Sequence, residues 1–211
     1  MEIHFIDKIS STHTWLCEAV KNGDVRTPFA LYAGVQTDGV GSRGNSWNGG
    51  EGNLFLSFAL PSSELPDDLP HPSVSIYFSW LLLEFLRERG SSVWLKWPND
   101  FYLNDKKLGG TITAKIKDFF VISVGINLSI AKDGYSTLDI LLSPHNLVRD
   151  FIPSLKNLPL WKHIFSNYKI EFYLSQKFHA HIDDKSVSLA QAVLCPDGSI
   201  EIENKKVYSL R

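Results

Sequence analysis

Two stretches combine residue types and spacings suited to chemistry on phosphates and carboxylates. The first, QTDGVGSRGNSWNGGEGN, begins at Gln36 and packs six glycines, Arg43 and Trp47 into the fourteen residues from Gly39 to Gly52. Its GVGSRG segment fits G-x-G-x-x-G, the pattern of a dinucleotide-binding turn. That turn works when a helix starts at the last glycine, because the helix N-terminus holds the pyrophosphate. Here Gly44 is followed by NSWNGGEGN, with three more glycines and no periodic apolar run, so a βαβ unit is not built. A plain flexible hairpin and a phosphate-holding loop remain. Successive glycines let backbone N–H groups converge as an anion-binding nest, and Arg43 adds a planar fork for phosphate or carboxylate. We expect a phosphate-holding loop that orders around its ligand.

The second stretch is KWPNDFYLNDKKLGG, from Lys96 to Gly110. Pro98 fixes a turn and pushes Trp97 towards extended geometry. Asn99 and Asp100 then fall at a strand end, where polar side chains can point into a cleft. Lys107 is expected to face back across the hairpin, and Gly109 and Gly110 allow a ligand close to the backbone. A lysine near a carboxylate, beside a phosphate loop, suits stabilisation of an anion that develops on a transferring group. The competing reading is that Asp100 caps a turn and the lysines are solvated.

The elements around these stretches follow from pattern. Residues 12–22 read as a helix, capped by Ser11 or Thr12, striped by Trp15, Leu16, Ala19 and Val20, and stopped by Gly23. ALYAGVQ (30–36) and NLFLSFAL (53–60) suit strands, and PSSELPDDLPHP (61–72) is a loop. A long helix runs to about Arg89 with Val74, Phe78, Leu81, Leu82 and Phe85 on one face. VWLKW, FYL, KKLGG, TITAKI and FFVISVGI read as strands, with tight antiparallel connections at Asn104-Asp105 and Lys117-Asp118. Residues 127–143 are irregular, and helical pattern returns at 145–151 and 159–178, where Trp161, Ile164, Phe165 and Tyr168 share a face. After about Gln176 short strand-like pieces joined by Pro196-Asp197-Gly198-Ser199 read as a small β-barrel or sheet that must lean on the main domain. Helices mixed with antiparallel hairpins make the fold α+β, divided at residues 1–176 and 177–211.

Bulk composition narrows the partners. The chain has 211 residues, 44% hydrophobic and 21% charged, with a net charge of −2. That is an ordinary globular balance, with no global basic field to recruit nucleic acid or anionic membrane. Two distant thiols, Cys17 and Cys195, fit a reducing cytoplasm. The start, MEIHFIDKIS, lacks a signal-peptide core, and SIYFSWLLLEFL is too short to span a bilayer.

In their order and spacing, ISSTHTW (9–15), QTDGVGSRGNSW with GNLFLSF, KWPNDFYLNDKKLGG, and VISVGINLSI resemble the catalytic core of biotin–protein ligases. The resemblance covers about residues 5–130 in motif. It implies a class II synthetase-like α+β catalytic domain with a mixed, mainly antiparallel sheet and a C-terminal SH3-like barrel. It implies a two-step ligase that forms biotinyl-5′-AMP from biotin and Mg-ATP, then passes biotin to a lysine of a biotin carboxyl carrier protein, of acetyl-CoA carboxylase or a related carboxylase. On this resemblance Lys107, Arg43 and Asp100 serve the chemistry. Ser11, Thr12, Gln36, Gly39, Lys107 and Gly110 match biotin contacts. Gly41, Arg43, Gly44, Trp47, Asn99 and Asn127 match the nucleotide side, with Asp100 a Mg2+ contact through Mg-ATP. Trp97 is expected in the core.

Two departures stand out. Relatives often carry basic residues at the positions of Val40, Ser42 and Asn45, whereas only Arg43 is cationic within residues 39–45. Arg43 is therefore expected to supply the phosphate-side charge, with weaker adenylate retention. His13 stands where Asn is commoner. Relatives with an N-terminal helix-turn-helix act as repressors. This chain starts at the catalytic core, so DNA binding is not expected, and a homodimer through a sheet edge stays open. The competing functions are a lipoate–protein ligase or octanoyl transferase of the same fold, and a non-catalytic small-molecule-binding module.

Overall fold

A computed structural model describes residues 1–47, 49–182 and 185–209, and the side chain of Arg43 is outside the description. Seven strands form one sheet in the order β1-β2-β3-β7-β6-β5-β4. They are β1 (Glu2–Ile9), β2 (Phe29–Gln36), β3 (Leu54–Pro61), β4 (Trp94–Lys96), β5 (Asp100–Leu103), β6 (Lys106–Ile116) and β7 (Phe119–Ile126). β1 and β2 run parallel, and every other neighbouring pair is antiparallel. The parallel pair needs a crossover, which is α1 (Thr12–Asn22). The sheet is mixed and mainly antiparallel, as expected.

Strand alternation sorts the two faces. Even-numbered residues of β3 and β7 (Leu54, Leu56, Phe58, Leu60; Phe120, Ile122, Val124, Ile126) enter the larger core. That core also takes α2 (Val74–Arg87), α3 (Pro144–Ser154) and α4 (Trp161–Ser175). Odd-numbered positions face the other way. Ala59 and Val121 pack with Leu16 and Val20 of α1, while Ser57, Ser123 and Gly125 continue that face beyond the start of the helix. One face is thus a thick core and the other a thin cover, open where α1 begins.

Helix α1 matches its expected bounds, with Ser11 accepting from Thr14 N at 3.3 Å and Gly23 in the left-handed conformation at its end. Helix α2 departs from its expected single stripe. Ser75, Ile76, Tyr77, Ser79, Trp80 and Leu83 are buried as well, and Leu81 is only half-buried. The helix lies between the sheet and α4, so both sides are covered. Ser79 is accommodated there by a 2.8 Å bond to Thr111 Oγ1. Sequence pattern passes over β1, an edge strand whose residues are almost all exposed, and β8 (His179–Ile182). KKLGG and TITAKI form one continuous strand, β6.

The C-terminal segment forms two small antiparallel sheets. One pairs β8 with β9 (Lys185–Ser188), and the other joins β10 (Val193–Leu194), β11 (Ile200–Ile202) and β12 (Lys205–Val207). Ala180, Ile182, Leu189, Ile200, Ile202 and Val207 share the main core. Two buried indoles dock its turn: Trp97 Nε1 donates to Gly198 O at 3.0 Å, and Trp161 Nε1 to Pro196 O at 2.9 Å. The segment leans on the rest of the chain as expected, and Trp97 is a core residue with no exposed surface.

Candidate active site

Where α1 begins, a partly open cleft cuts into the thinly covered face of the sheet. It holds about 480 Å³ of empty space, solvent at its mouth included. Thr12 and His13 reach it from the first turn of α1, Gln36 from the end of β2, and Ser123, Val124 and Gly125 from β7. Val40, Gly41, Ser42 and Trp47 come from the glycine-rich loop, and Asn99, Asp100, Lys107, Gly110, Thr111 and Ile112 from the β4–β6 hairpins. Residues read from two separate stretches therefore meet around one cavity.

Its charged group is compact. Lys107 Nζ donates to Asp100 Oδ1 at 2.6 Å, and Lys96 Nζ lies 3.8 Å from Asp100 Oδ2. The hairpin explains the first contact: Asp100 pairs with Gly110 across β5 and β6, and a register shift after Phe101 sets Lys107 opposite Tyr102. Gly110 keeps the space between them, since a Cβ there would stand 3.1 Å from Asp100 Oδ1. Two ammonium groups on one carboxylate leave a net positive site, and the Lys107 side chain is 28% exposed and so accessible from the cleft. The turn-cap reading of Asp100 is set aside by this geometry. Both carboxylate oxygens face lysines, and among the described residues no group of three or more His, Cys, Asp or Glu could hold a metal ion. A resident divalent ion at Asp100 does not fit this donor set.

The polar end is built from hydroxyls and an amide. Gln36 Oε1 accepts from Thr12 N at 2.7 Å and from Thr12 Oγ1 at 2.9 Å. Ser57 Oγ lies 2.9 Å from Thr12 Oγ1 and 2.8 Å from Ser123 Oγ, and Ser123 Oγ lies 2.8 Å from His13 Nδ1. Ser57 and Ser123 escaped sequence reasoning. They sit in apolar strands, 45 and 110 residues from their partners Thr12 and His13. The available signal was a single serine at a core-strand position, where a buried hydroxyl needs a partner.

The glycine-rich loop departs from an open nest. Gly41 N bonds Asn45 O at 2.6 Å, Asn45 N bonds Ser42 O at 3.2 Å, and Trp47 N bonds Gly39 O at 2.6 Å. These N–H groups are spent inside the loop, so the loop must open before they can serve an anion. Gly39 is a close approach, but to the loop itself: a Cβ would fall 2.1 Å from Trp47 O and 2.7 Å from Gln36 Nε2. Gly44 has a left-handed φ of 72° in a short turn, and it does not line the cleft. The Trp47 ring lies against Gly125, where a Cβ would meet its Nε1 at 2.3 Å, and edge-on to Tyr135 at 6.2 Å. Trp47 is thus a wall of the cleft. The Arg43 side chain, given the phosphate-side charge above, lies outside the described residues.

Two expected contacts are placed elsewhere. Ser11 is buried as the cap of α1 and is not on the cleft wall. Asn127 is buried, donating to Ser136 O at 3.3 Å and facing Asn53 Nδ2 at 3.4 Å. It does not line the cleft; its amide is spent on holding the 127–138 segment. Asn53 organises the same segment, its Oδ1 accepting from the backbone N–H groups of Leu128, Ser129 and Ile130 at 3.0–3.2 Å. Asn99 lines the cleft and donates to Thr111 O.

Comparisons with known proteins fall on these residues. The biotin/lipoate A/B protein ligase family matches residues 5–130, a span that contains every cleft-lining residue named above. The bifunctional ligase/repressor BirA of Escherichia coli is 33% identical over 144 residues, 62% of this chain and 44% of that protein. Biotin–protein ligase 2 of Arabidopsis thaliana is 32% identical over 158 residues, 67% of this chain and 46% of that protein. The chain thus spans a little under half the length of these curated relatives. Biotin acetyl coenzyme A carboxylase synthetase from Helicobacter pylori, solved with biotinylated ATP, superposes with a TM-score of 0.93 at 38% identity, covering 98% of this chain and 99% of that one.

Proposed function

We propose, from the premise that this chain belongs to the biotin/lipoate A/B protein ligase family, that it activates biotin with ATP and transfers it to a lysine of a carrier domain. The observation that carries this reading is one cleft holding both the Lys107–Asp100 pair and the Thr12–Gln36–Ser123 polar cluster. A cyclic urea offers N–H donors and a carbonyl acceptor, which suits hydroxyl oxygens beside an amide N–H. A valeryl carboxylate leading away from that ring would then meet an ammonium. The Helicobacter pylori relative, with biotinylated ATP bound, supports the pairing of these two ligands.

In the first step a carboxylate oxygen of biotin attacks the α-phosphorus of ATP, the bond to pyrophosphate breaks, and biotinyl-5′-AMP forms. Two anions must approach each other, so a fixed cation offsets their repulsion and holds the reacting atoms in line. Lys107 takes this role, leaving Asp100 to the neighbouring Lys96 as the substrate oxyanions arrive. Trp47, Asn99 and the glycine-rich loop then border the nucleotide, the loop exchanging its internal bonds for phosphate contacts. Mg2+ enters on the ATP phosphates. In the second step the acceptor amine attacks the acyl carbon, loses a proton, and AMP leaves. The acceptor is a biotin carboxyl carrier domain of acetyl-CoA carboxylase or a related carboxylase. Residues 1–176 form the catalytic unit, and residues 177–211 are read as an SH3-like unit. The two free thiols, Cys17 and Cys195, accord with work in a reducing cytoplasm.

Thermal-shift measurement separates this function from its neighbours of the same fold. Biotin at about 100 times its Kd should stabilise the protein by about 2.7 kcal/mol, roughly 5–10 °C in melting temperature for this size. Lipoate and octanoate should leave the midpoint unmoved. Stabilisation by lipoate without biotin would replace the proposal with a lipoyl ligase.

A further inference from the structure

The polar end of the cleft has a fixed hydrogen-bond direction, set by one group that has no choice. The backbone N–H of Thr12 only donates, so the Gln36 atom 2.7 Å away is its amide oxygen. That oxygen only accepts, so the Thr12 hydroxyl, 2.9 Å away, spends its proton there. Ser57 must then donate to Thr12 Oγ1. One hydroxyl has one proton, so the 2.8 Å contact between Ser57 and Ser123 is donated by Ser123. The proton of Ser123 being spent, the 2.8 Å contact with His13 is donated by Nδ1–H. His13 Nε2 is then the acceptor, and Cys17 Sγ lies 3.7 Å from it as the thiol donor.

The last two groups hold the state this direction requires. Burial keeps the His13 ring below its ordinary pKa, hence neutral near pH 7. Burial, with the Glu18 charge adding to it, pushes the Cys17 thiol up to about 11, hence protonated. The chain Cys17, His13, Ser123, Ser57, Thr12, Gln36 therefore runs one way. On the cleft side Thr12 and Ser123 each keep an unused lone pair, while the Gln36 amide nitrogen remains a donor.

We infer that His13 is a positioning residue for ligand recognition. As the Nδ1–H tautomer it makes Ser123 an acceptor-only group towards the cleft, matched to the ring N–H groups of a cyclic urea. The inference rests on the biotin reading and adds a residue to it. With the other tautomer, Nδ1 would draw the Ser123 proton, and Ser57 and Ser123 would face each other oxygen to oxygen.

Two substitutions isolate the donor. Asn and Leu share a branched shape, and the Asn Nδ2 stands the same number of bonds from Cα as His Nδ1. His13→Asn should keep the KM for biotin within about threefold of wild type, whereas His13→Leu should raise it by about tenfold or more. The KM for ATP and kcat should stay within about twofold in both. Equal biotin KM values in the Asn and Leu variants would overturn the inference. Nitrogen NMR of the ligand-free protein, with labelled histidine, should show His13 protonated at Nδ1 and bare at Nε2, and the reverse would overturn the inference by itself. A wild-type protein that binds no biotin would take down the functional reading and the ligand role of His13. The nitrogen spectrum would then still test the hydrogen-bond direction alone.

Discussion

Replacing Lys107 with alanine is expected to lower biotin-dependent ATP–pyrophosphate exchange by about 10²–10³-fold, the usual cost of removing one preorganised donor from a developing anion. In the free protein the ammonium rests 2.6 Å from Asp100 on the cleft wall, and it exchanges this partner for the substrate oxyanions as they arrive. Among the described residues no other lysine or arginine lines the cleft. Lys96 stands 3.8 Å from the opposite oxygen of Asp100 and does not line the cleft. The fold should survive, because the lost ion pair is partly exposed and such pairs contribute about 1 kcal/mol or less. Lys107→Arg should rescue little, since a planar fork does not replace a compact point charge at the same site. Exchange rates measured beside far-ultraviolet circular dichroism check both halves. Normal exchange in a folded Lys107→Ala protein would remove this lysine from the chemistry.

The second large effect is expected at Gln36. Gln36→Met keeps the length of the side chain but takes away the acceptor for Thr12 N and Oγ1 and the amide donor facing the cleft. A buried donor left without its partner costs about 1–3 kcal/mol. Loss of the amide donor that faces the ligand should lower biotin affinity by roughly 5–140-fold, at 1.4 kcal/mol per factor of ten, and the unpartnered Thr12 donors should lower stability by about 1–3 kcal/mol. Nucleotide binding, served by other residues of the cleft, should change little. Calorimetric titration with biotin and with ATP measures the two separately. Equal losses for both ligands would mean general collapse of the cleft, and unchanged biotin affinity would exclude Gln36 from the recognition end.

What could be read from sequence divides along physical lines. The Lys107–Asp100 contact was legible because both residues lie on one hairpin, seven positions apart, where the turn itself dictates the approach. Helix α1 was legible because Ser11 and Gly23 punctuate it. Strand β1 was not, since an exposed edge strand lacks the apolar alternation that marks a half-buried one. The burial of α2 on two sides was hidden because Ser75 and Ser79 look like a solvent face until Thr111 supplies a partner for one of them. The hydroxyl chain joins α1, β2, β3 and β7, and no local pattern reports a contact between residues 110 positions apart. Asn127 was read as a ligand contact, and its long-range partners were hidden for a related reason. Its type suits a ligand contact, yet the segment after it needs the same amide for its own carbonyls. The motifs thus revealed which residues gather, while the division between ligand contact and internal support came from long-range packing.

The most direct measurement is the product of the first step. Purified protein, labelled biotin, ATP and Mg2+ are mixed without carrier, quenched, and separated for adenylates. Labelled biotinyl-5′-AMP should accumulate to about one equivalent per protein, with one pyrophosphate released for each. Biotin that binds tightly while no adenylate or pyrophosphate ever forms would contradict ligase chemistry and leave this cleft a binding site only.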